Sequence, residues 1–212
     1  MRVLALSDTE VPWLSQWYDR RRLDRYDLIV SCGDLSPRYL SRIATLSRAP
    51  LLYVRGNHDA RYDTEPPEGC WPIEDEVVTY RGLQVAGLGG SLPYNDSVWG
   101  FSERQMARKA GRLARRAEWA GGLDLLVTHA PVRGYGDLDD LPHQGFEALG
   151  AFLDRARPQV MVHGHVHIEY GRVARELAHP SGARLLNACG FQEFELEPNE
   201  RQKVWRKPAR IG

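Results

Sequence analysis

The chain has 212 residues, which at about 150 residues per domain predicts one domain, or one with long functional loops. Hydrophobic residues make up 42% and charged residues 26%, enough to build a sizeable core and too apolar for a disordered chain. Lysine plus arginine number 28 and aspartate plus glutamate 28, so no whole-molecule field draws the protein toward nucleic acid or an anionic membrane.

Val3 to Leu6, Leu28 to Val30 and Leu51 to Val54 are short apolar runs that read as buried strands. Between them, Leu14 to Leu23 and Tyr39 to Leu46 carry apolar residues at helical spacing, and Pro37 opens the second segment. The pattern is βαβαβ and predicts parallel strands with right-handed crossovers. A loop from Arg61 to Glu76 follows. Val77 to Tyr80 and Leu83 to Leu88 then flank Arg81-Gly82 as a hairpin.

A Gly-rich loop, Gly89 to Gly100, leads into a predicted helix from Glu103 to Trp119. Its basic residues Arg104, Arg108, Lys109, Arg112, Arg115 and Arg116 read first as a solvated face, with Met106, Ala110, Leu113 and Ala117 packing inward. A phosphate-backbone contact is the second reading. Next come a strand at Leu123 to Val127, a loop from Val132 to Gly145, a helix from Phe146 to Ala156 and a strand at Val160 to Val162. Extended patches are predicted at Tyr170 to Ala174, Arg184 to Asn187, Phe191 to Leu196 and Lys203 to Arg206. The second half is less clearly parallel than the first and points to two packed sheets flanked by helices.

Cys32, Cys70 and Cys189 are odd in number and follow no motif spacing, which fits a reduced, cytoplasmic compartment. The N-terminal apolar run is too short for a signal peptide, and no stretch approaches the ~20 apolar residues that span a bilayer.

Polar residues cluster at the strand ends. Asp8 and Glu10 follow the first strand, Gly33-Asp34 the second and Gly56-Asn57-His58-Asp59 the third. Thr128-His129 follows the strand at Leu123, and His163-Gly164-His165-Val166-His167 follows the strand at Val160. Carboxyl ends of parallel strands converge on one sheet edge, so five such ends deliver carboxylate, amide and imidazole to one place. That donor set suits divalent Mn, Fe or Zn, and thiolate is absent from these loops. Gly33, Gly56 and Gly164 flank the donors where a side chain would block close approach. Taken singly, each residue reads as a helix cap or turn; their ordered recurrence is what argues for a site.

Asp8-x-Glu10, Gly33-Asp34, Gly56-Asn57-His58-Asp59, Thr128-His129 and Gly164-His165-x-His167, in this order, resemble the calcineurin-like metallophosphoesterase superfamily, especially its small bacterial phosphodiesterases. The resemblance implies an α/β fold, a four-layer αββα sandwich of two packed mixed sheets flanked by helices, over a single domain 1–212. It makes Asp34 the carboxylate shared by two metals. Asp8, Glu10 and His167 complete the first, and Asn57, His129 and His165 the second. His58 is then the catalytic imidazole facing the substrate. The family usually carries histidine where Glu10 stands.

The function implied is hydrolysis of phosphate esters, diesters before monoesters, with two divalent ions ~3.5–4 Å apart activating a bridging water or hydroxide. Manganese is expected first, with iron or zinc as the other candidates. Arg61, Asn95, Arg133, Tyr135 and His143 are the expected substrate contacts, His143 reading equally as an exposed loop histidine. Asp59 is a candidate for orienting His58, and His163 reads as structural support for the 165–167 segment. The expected partner is a small phosphate ester: a nucleotide or cyclic nucleotide, a phospholipid headgroup or a nucleic-acid end. Nucleic acid is not indicated by the net charge, and oligomeric state is not readable. The alternative is a non-catalytic scaffold or interaction module on the same fold, which has no use for His58.

Overall fold

The computed structural model describes residues 1–15, 20–94, 96–170, 173–200 and 209–210. Two sheets pack face to face. The first contains β11(Gly190–Glu195), β1(Arg2–Ser7), β2(Leu28–Ser31), β3(Leu51–Tyr53) and β4(Cys70–Pro72), in that spatial order. β1 to β4 run parallel and β11 antiparallel to β1. The second sheet has the order β12(Ala209–Arg210), β5(Val77–Tyr80), β6(Leu83–Leu88), β7(Leu125–Thr128), β8(Val160–His163), β10(Arg184–Asn187), β9(Glu176–Ala178). It is also mixed: β6, β7, β8 and β10 are parallel, while β5 and β9 pair antiparallel with their neighbours.

Alternation along each strand produces the layers. Val3, Ala5, Leu28, Val30, Leu125, Val127, Val160 and Val162 point into one core between the sheets. Their neighbours Leu4, Leu6 and Ile29 point the other way, onto α2(Pro37–Leu46) and α1(Pro12–Ser15). Leu126 and Met161 likewise meet α3(Glu103–Trp119) and α4(Glu147–Ala156). Both faces of each sheet are covered, which is why the strands read as unbroken apolar runs. This is the four-layer αββα sandwich.

Local signals explain the helices. Ser36 caps α2 by accepting the Tyr39 N–H, Pro37 opens it, and Tyr39, Leu40, Ile43 and Leu46 form its buried stripe. Ser102 and Gln105 form a capping box on α3, which buries Met106, Ala110, Leu113, Ala114 and Ala117 as its spacing predicts. Its basic face is exposed except for Lys109, which pairs with Asp75, and Arg116 pairs with Glu76 at the surface. The hairpin turn Arg81-Gly82 has positive φ at both residues, 45° and 91°, as a two-residue type I′ turn requires.

Four sequence expectations need correction or fall outside the described residues. The helix predicted from Leu14 to Leu23 is a single turn at Pro12–Ser15 and a 3-10 turn at Arg20–Arg22, with 16–19 outside the described residues. Arg20-Arg21-Arg22 offers no apolar face to bury, and Leu23 and Tyr26 reach the core through a turn instead. Of the extended patch predicted at Tyr170 to Ala174, 171–172 lie outside the described residues, Tyr170 ends a 3-10 turn at Ile168–Tyr170, and the strand that follows is Glu176–Ala178. Strand β9 begins only where β10 offers it a partner, Leu186 opposite Glu176. The patch at Lys203 to Arg206 and the expected contact Asn95 lie outside the described residues. No helix among the described residues is long and apolar enough to cross a membrane.

Candidate metal centre

The carboxyl ends of β1, β2 and β3 deliver Asp8, Asp34 and the 55–59 segment, and those of β7 and β8 deliver His129 and the 163–167 segment. The two sheets therefore each contribute half of one site. Asp8, Asp34 and His165 all take left-handed backbone, with φ of 60°, 56° and 68°. Such backbone is uncommon outside glycine and clusters where the surrounding structure holds it for a purpose.

Close approach is enforced by glycine. A Cβ on Gly33 would lie 2.2 Å from the Gly56 nitrogen, and one on Gly56 would lie 2.0 Å from Asp34 Oδ1. At Gly164 it would meet Ser7 Oγ at 1.8 Å and Asp8 Oδ2 at 2.4 Å. Gly164→Ala is therefore expected to push Asp8 aside and to lower unfolding stability by about 1–3 kcal/mol, as overpacking does. A urea titration beside a metal-content assay checks this. An unchanged midpoint with full metal uptake would show that the contact relaxes freely.

Four donor atoms converge. His129 Nδ1–H donates to the Cys32 carbonyl at 2.8 Å, which turns Nε2 into the site. That Nε2 lies 2.9 Å from Asn57 Oδ1, 3.1 Å from His165 Nδ1 and 3.4 Å from Asp34 Oδ2. His165 Nε2–H donates to the Pro142 carbonyl at 2.6 Å, so its Nδ1 presents a lone pair inward. The Asn57 amide N–H donates to Tyr94 Oη at 2.7 Å, which leaves Oδ1 facing the cluster. Asp34, His129 and His165 offer ligand atoms that all lie within 4.8 Å of one another.

Acceptors packed this closely need a cation among them. Without metal, a proton on His129 meets the need in part. Burial is the largest influence on His129 and opposes its charge. The Asp34 carboxylate, its hydrogen bond and Asp8 outweigh that and raise the ring to about 9. Burial would likewise raise Asp34, but the His129 charge and hydrogen bonds from His129 and the His58 backbone bring it down to about 2. His165 is pushed down to about 3 by burial and then by the His129 charge, and stays neutral. A divalent ion would satisfy all four donors where a proton serves one pair, and its uptake would release the His129 proton. The residues present fit such an ion.

A second group adjoins the first. Both Asp8 carboxylate oxygens accept the His165 backbone N–H, at 2.9 and 3.1 Å, and Oδ1 stands 3.8 Å from His167 Nε2. Burial, ahead of the other influences, raises the Asp8 carboxyl. Glu10 is exposed, and its Oε1 accepts from the Ser36 hydroxyl and N–H at the start of α2.

His58 is exposed. Its backbone N–H donates to Asp34 Oδ1 at 2.9 Å, and its ring Nε2 lies 3.3 Å from Tyr94 Oη. Asp59 does not orient His58. Its Oδ2 accepts the backbone N–H groups of Asp34 at 2.7 Å and Gly56 at 2.8 Å, tying the two loops together. His163 is buried with Nδ1–H on the Gly164 carbonyl, and burial holds it down at about 4, in keeping with a structural role.

Among the expected substrate contacts, His143 lies against the cluster. Its ring centroid is 5.7 Å from that of His165, and Nδ1–H donates to Asp140 at 2.6 Å. The others are engaged elsewhere: Arg61 with Glu65, Arg133 with Asp137, and Tyr135 against the His179 ring. Sequence reasoning missed Tyr94 and Ser97, whose hydroxyls hold Asn57, and the role of Asp59. Only Asp59 carried a signal, its place in the Gly56–Asp59 motif.

A family model for the calcineurin-like phosphoesterase superfamily domain matches residues 1–189. Metallophosphoesterase domain-containing protein 1 of Homo sapiens is 23% identical over 190 residues, covering 70% of this chain and 56% of that protein. UPF0046 protein T07D4.2 of Caenorhabditis elegans is 31% identical over 103 residues, 47% of this chain and 24% of that one. The chain thus spans only part of the length of these curated relatives. A solved crystal structure superposes with a TM-score of 0.65 at 14% identity, over 93% of this chain and 98% of that one, a likeness of fold. With the motif residues gathered at one edge and the match running through nearly all of the described core, the chain belongs to the calcineurin-like phosphoesterase superfamily.

Proposed function

We propose that the chain, as one domain over 1–212, is a phosphodiesterase with a binuclear metal centre. Asp34, Asn57, His129 and His165 hold one ion. Asp8, Glu10 and His167 hold the other, with Asp34 shared. The convergence of His129 Nε2, His165 Nδ1, Asn57 Oδ1 and Asp34 Oδ2 carries this reading, because inward lone pairs and carboxylate at these distances call for a cation. Divalent ions held there supply charge neutralisation at phosphoryl oxygens and a lowered pKa for the attacking water.

The chain's own groups do the rest. His58, exposed beside the cluster, gives a proton to the leaving oxygen. Asp59 holds the Asp34 and Gly56 backbone so that the carboxylate and imidazole keep their relative place. His143, oriented by Asp140, stands on the rim where an ester would enter, and Arg61, Arg133 and Tyr135 are further rim candidates. Among the described residues all three cysteines are unpaired, which supports a cytoplasmic setting. Manganese is the ion we expect, because oxygen donors are prominent in the set.

The test is a panel of Mn²⁺-, Fe²⁺- and Zn²⁺-reconstituted protein against bis(p-nitrophenyl) phosphate and p-nitrophenyl phosphate. Turnover of the diester above the monoester is expected. Metal uptake without turnover of either ester would hand the site to a scaffold role.

Glu10 adds a third carboxylate to Asp8 and Asp34. It makes the centre less attractive to a phosphate dianion and weakens the fall in the pKa of attacking water. Glu10→His is accordingly expected to raise monoester over diester turnover and to shift the alkaline limb of the pH–rate profile to lower pH. An unchanged profile and preference with both ions bound would leave Glu10 as a partner of Ser36 at the start of α2.

A further inference from the structure

The loop between β6 and α3 does more than border the site. It is fastened to the 55–58 segment at successive points. The Gly90 N–H donates to the Arg55 carbonyl at 2.8 Å, and the Ser97 hydroxyl donates to the Asn57 carbonyl. Arg55 also stacks over the Trp99 ring at 4.8 Å. The loop closes on itself through Ser91 N–H to the Trp99 carbonyl and Phe101 N–H to the Ser91 carbonyl, at 3.1 and 2.8 Å. A rim that only met substrate would have no need of this attachment.

Tyr94 is placed by that frame between two groups of different function. Its oxygen accepts the Asn57 amide N–H at 2.7 Å and stands 3.3 Å from His58 Nε2. A carboxamide can turn either its oxygen or its NH₂ inward at little steric cost, and only the oxygen can ligate a cation. With the amide hydrogen taken by Tyr94, the orientation that puts Oδ1 into the cluster is the satisfied one. A phenolic hydroxyl can both accept and donate, so the one oxygen meets the Asn57 amide and the His58 ring together.

Resting on the metallophosphoesterase reading above, we propose that Tyr94 is a positioning residue. It fixes the Asn57 amide toward the ion and holds the His58 imidazole over the same centre, so that ion and proton donor share one hydroxyl.

Tyr94→Phe keeps the ring and removes the hydroxyl. Mn²⁺ affinity, measured by titration against a competing chelator, is expected to fall about tenfold, as loss of a hydrogen bond to a metal ligand does. Aspartate has two equivalent oxygens and no wrong orientation. In an Asn57→Asp background the same Tyr94→Phe change is therefore expected to alter Mn²⁺ affinity by no more than about twofold. A general loosening of the loop would weaken both backgrounds alike, and that result would overturn the proposal.

The second readout needs no second variant. On a series of aryl and alkyl phosphodiesters, Tyr94→Phe should cost more kcat as the leaving group becomes more basic, with KM little changed. A uniform loss along the series, or unchanged Mn²⁺ affinity, would overturn it too. If the unmodified protein takes up Mn²⁺ and cleaves diester while Tyr94→Phe changes nothing, only the tyrosine assignment falls. If the unmodified protein does neither, the metallophosphoesterase reading falls with it.

Discussion

Asp34→Asn is expected to lose most of the bound metal and on the order of 10³-fold in kcat/KM, since shared-metal charge stabilisation is worth several kcal/mol. The substitution is isosteric, and asparagine tolerates the left-handed backbone, φ 56°, that this position requires. The backbone N–H keeps its bond to Asp59. What changes is the charge, together with one oxygen that becomes an NH₂ and can no longer accept. The NH₂ faces either the His58 N–H or the His129 ring in place of an acceptor oxygen, and in both orientations His129 loses its anionic neighbour. The His129 ring, raised to about 9 chiefly against burial by that neighbour, should then titrate lower in the metal-free protein. NMR titration and metal analysis read both effects. Two ions per chain with an undiminished rate would remove Asp34 from its assigned place.

The chain's layers are legible because the central strands β1, β2, β3, β7 and β8 are buried on both faces. Val3-Leu4-Ala5-Leu6 has no polar residue to hide, so its position is plain even though its two cores are not. The polar residues that end such strands then stand out in the sequence, Asp8, Asp34, Asn57, His129, His165 and His167 among them. Strand order was beyond reach, since β11 pairs with β1 from the far end of the chain and β10 inserts between β8 and β9.

The failures have local causes. The apolar spacing from Leu14 to Leu23 suggests a helix, yet among the described residues its far end is a 3-10 turn at Arg20–Arg22, where the sequence offers no apolar stripe to pack. Tyr94 was invisible because its meaning lies in a hydroxyl that meets residues 36 and 37 positions away, and a lone tyrosine in a loop carries no pattern. Asp59 follows His58 in sequence, but adjacent side chains diverge, and its carboxylate reaches the backbone of Asp34 and Gly56.

His58→Ala tests the chemistry rather than the scaffold, and the structure shows why the two separate. Alanine retains the His58 backbone N–H on Asp34 Oδ1, and Tyr94 keeps its bond to Asn57 when its contact with the His58 ring is lost. The His58 side chain makes no capping hydrogen bond to the following 3-10 turn at Asp59–Asp63, so the turn loses nothing. Folding and metal content should therefore match the unmodified protein. The imidazole's contribution is expected to appear in kcat, at ~10²–10⁴-fold where the leaving group is a basic alkoxide that needs a proton. It should shrink toward nothing for p-nitrophenolate, which departs as an anion. The slope of log kcat against leaving-group pKa is the quantity to compare, and it should be steeper in the variant. Parallel lines for the two proteins would instead assign His58 to stabilising charge on the phosphoryl group, a role independent of the departing oxygen.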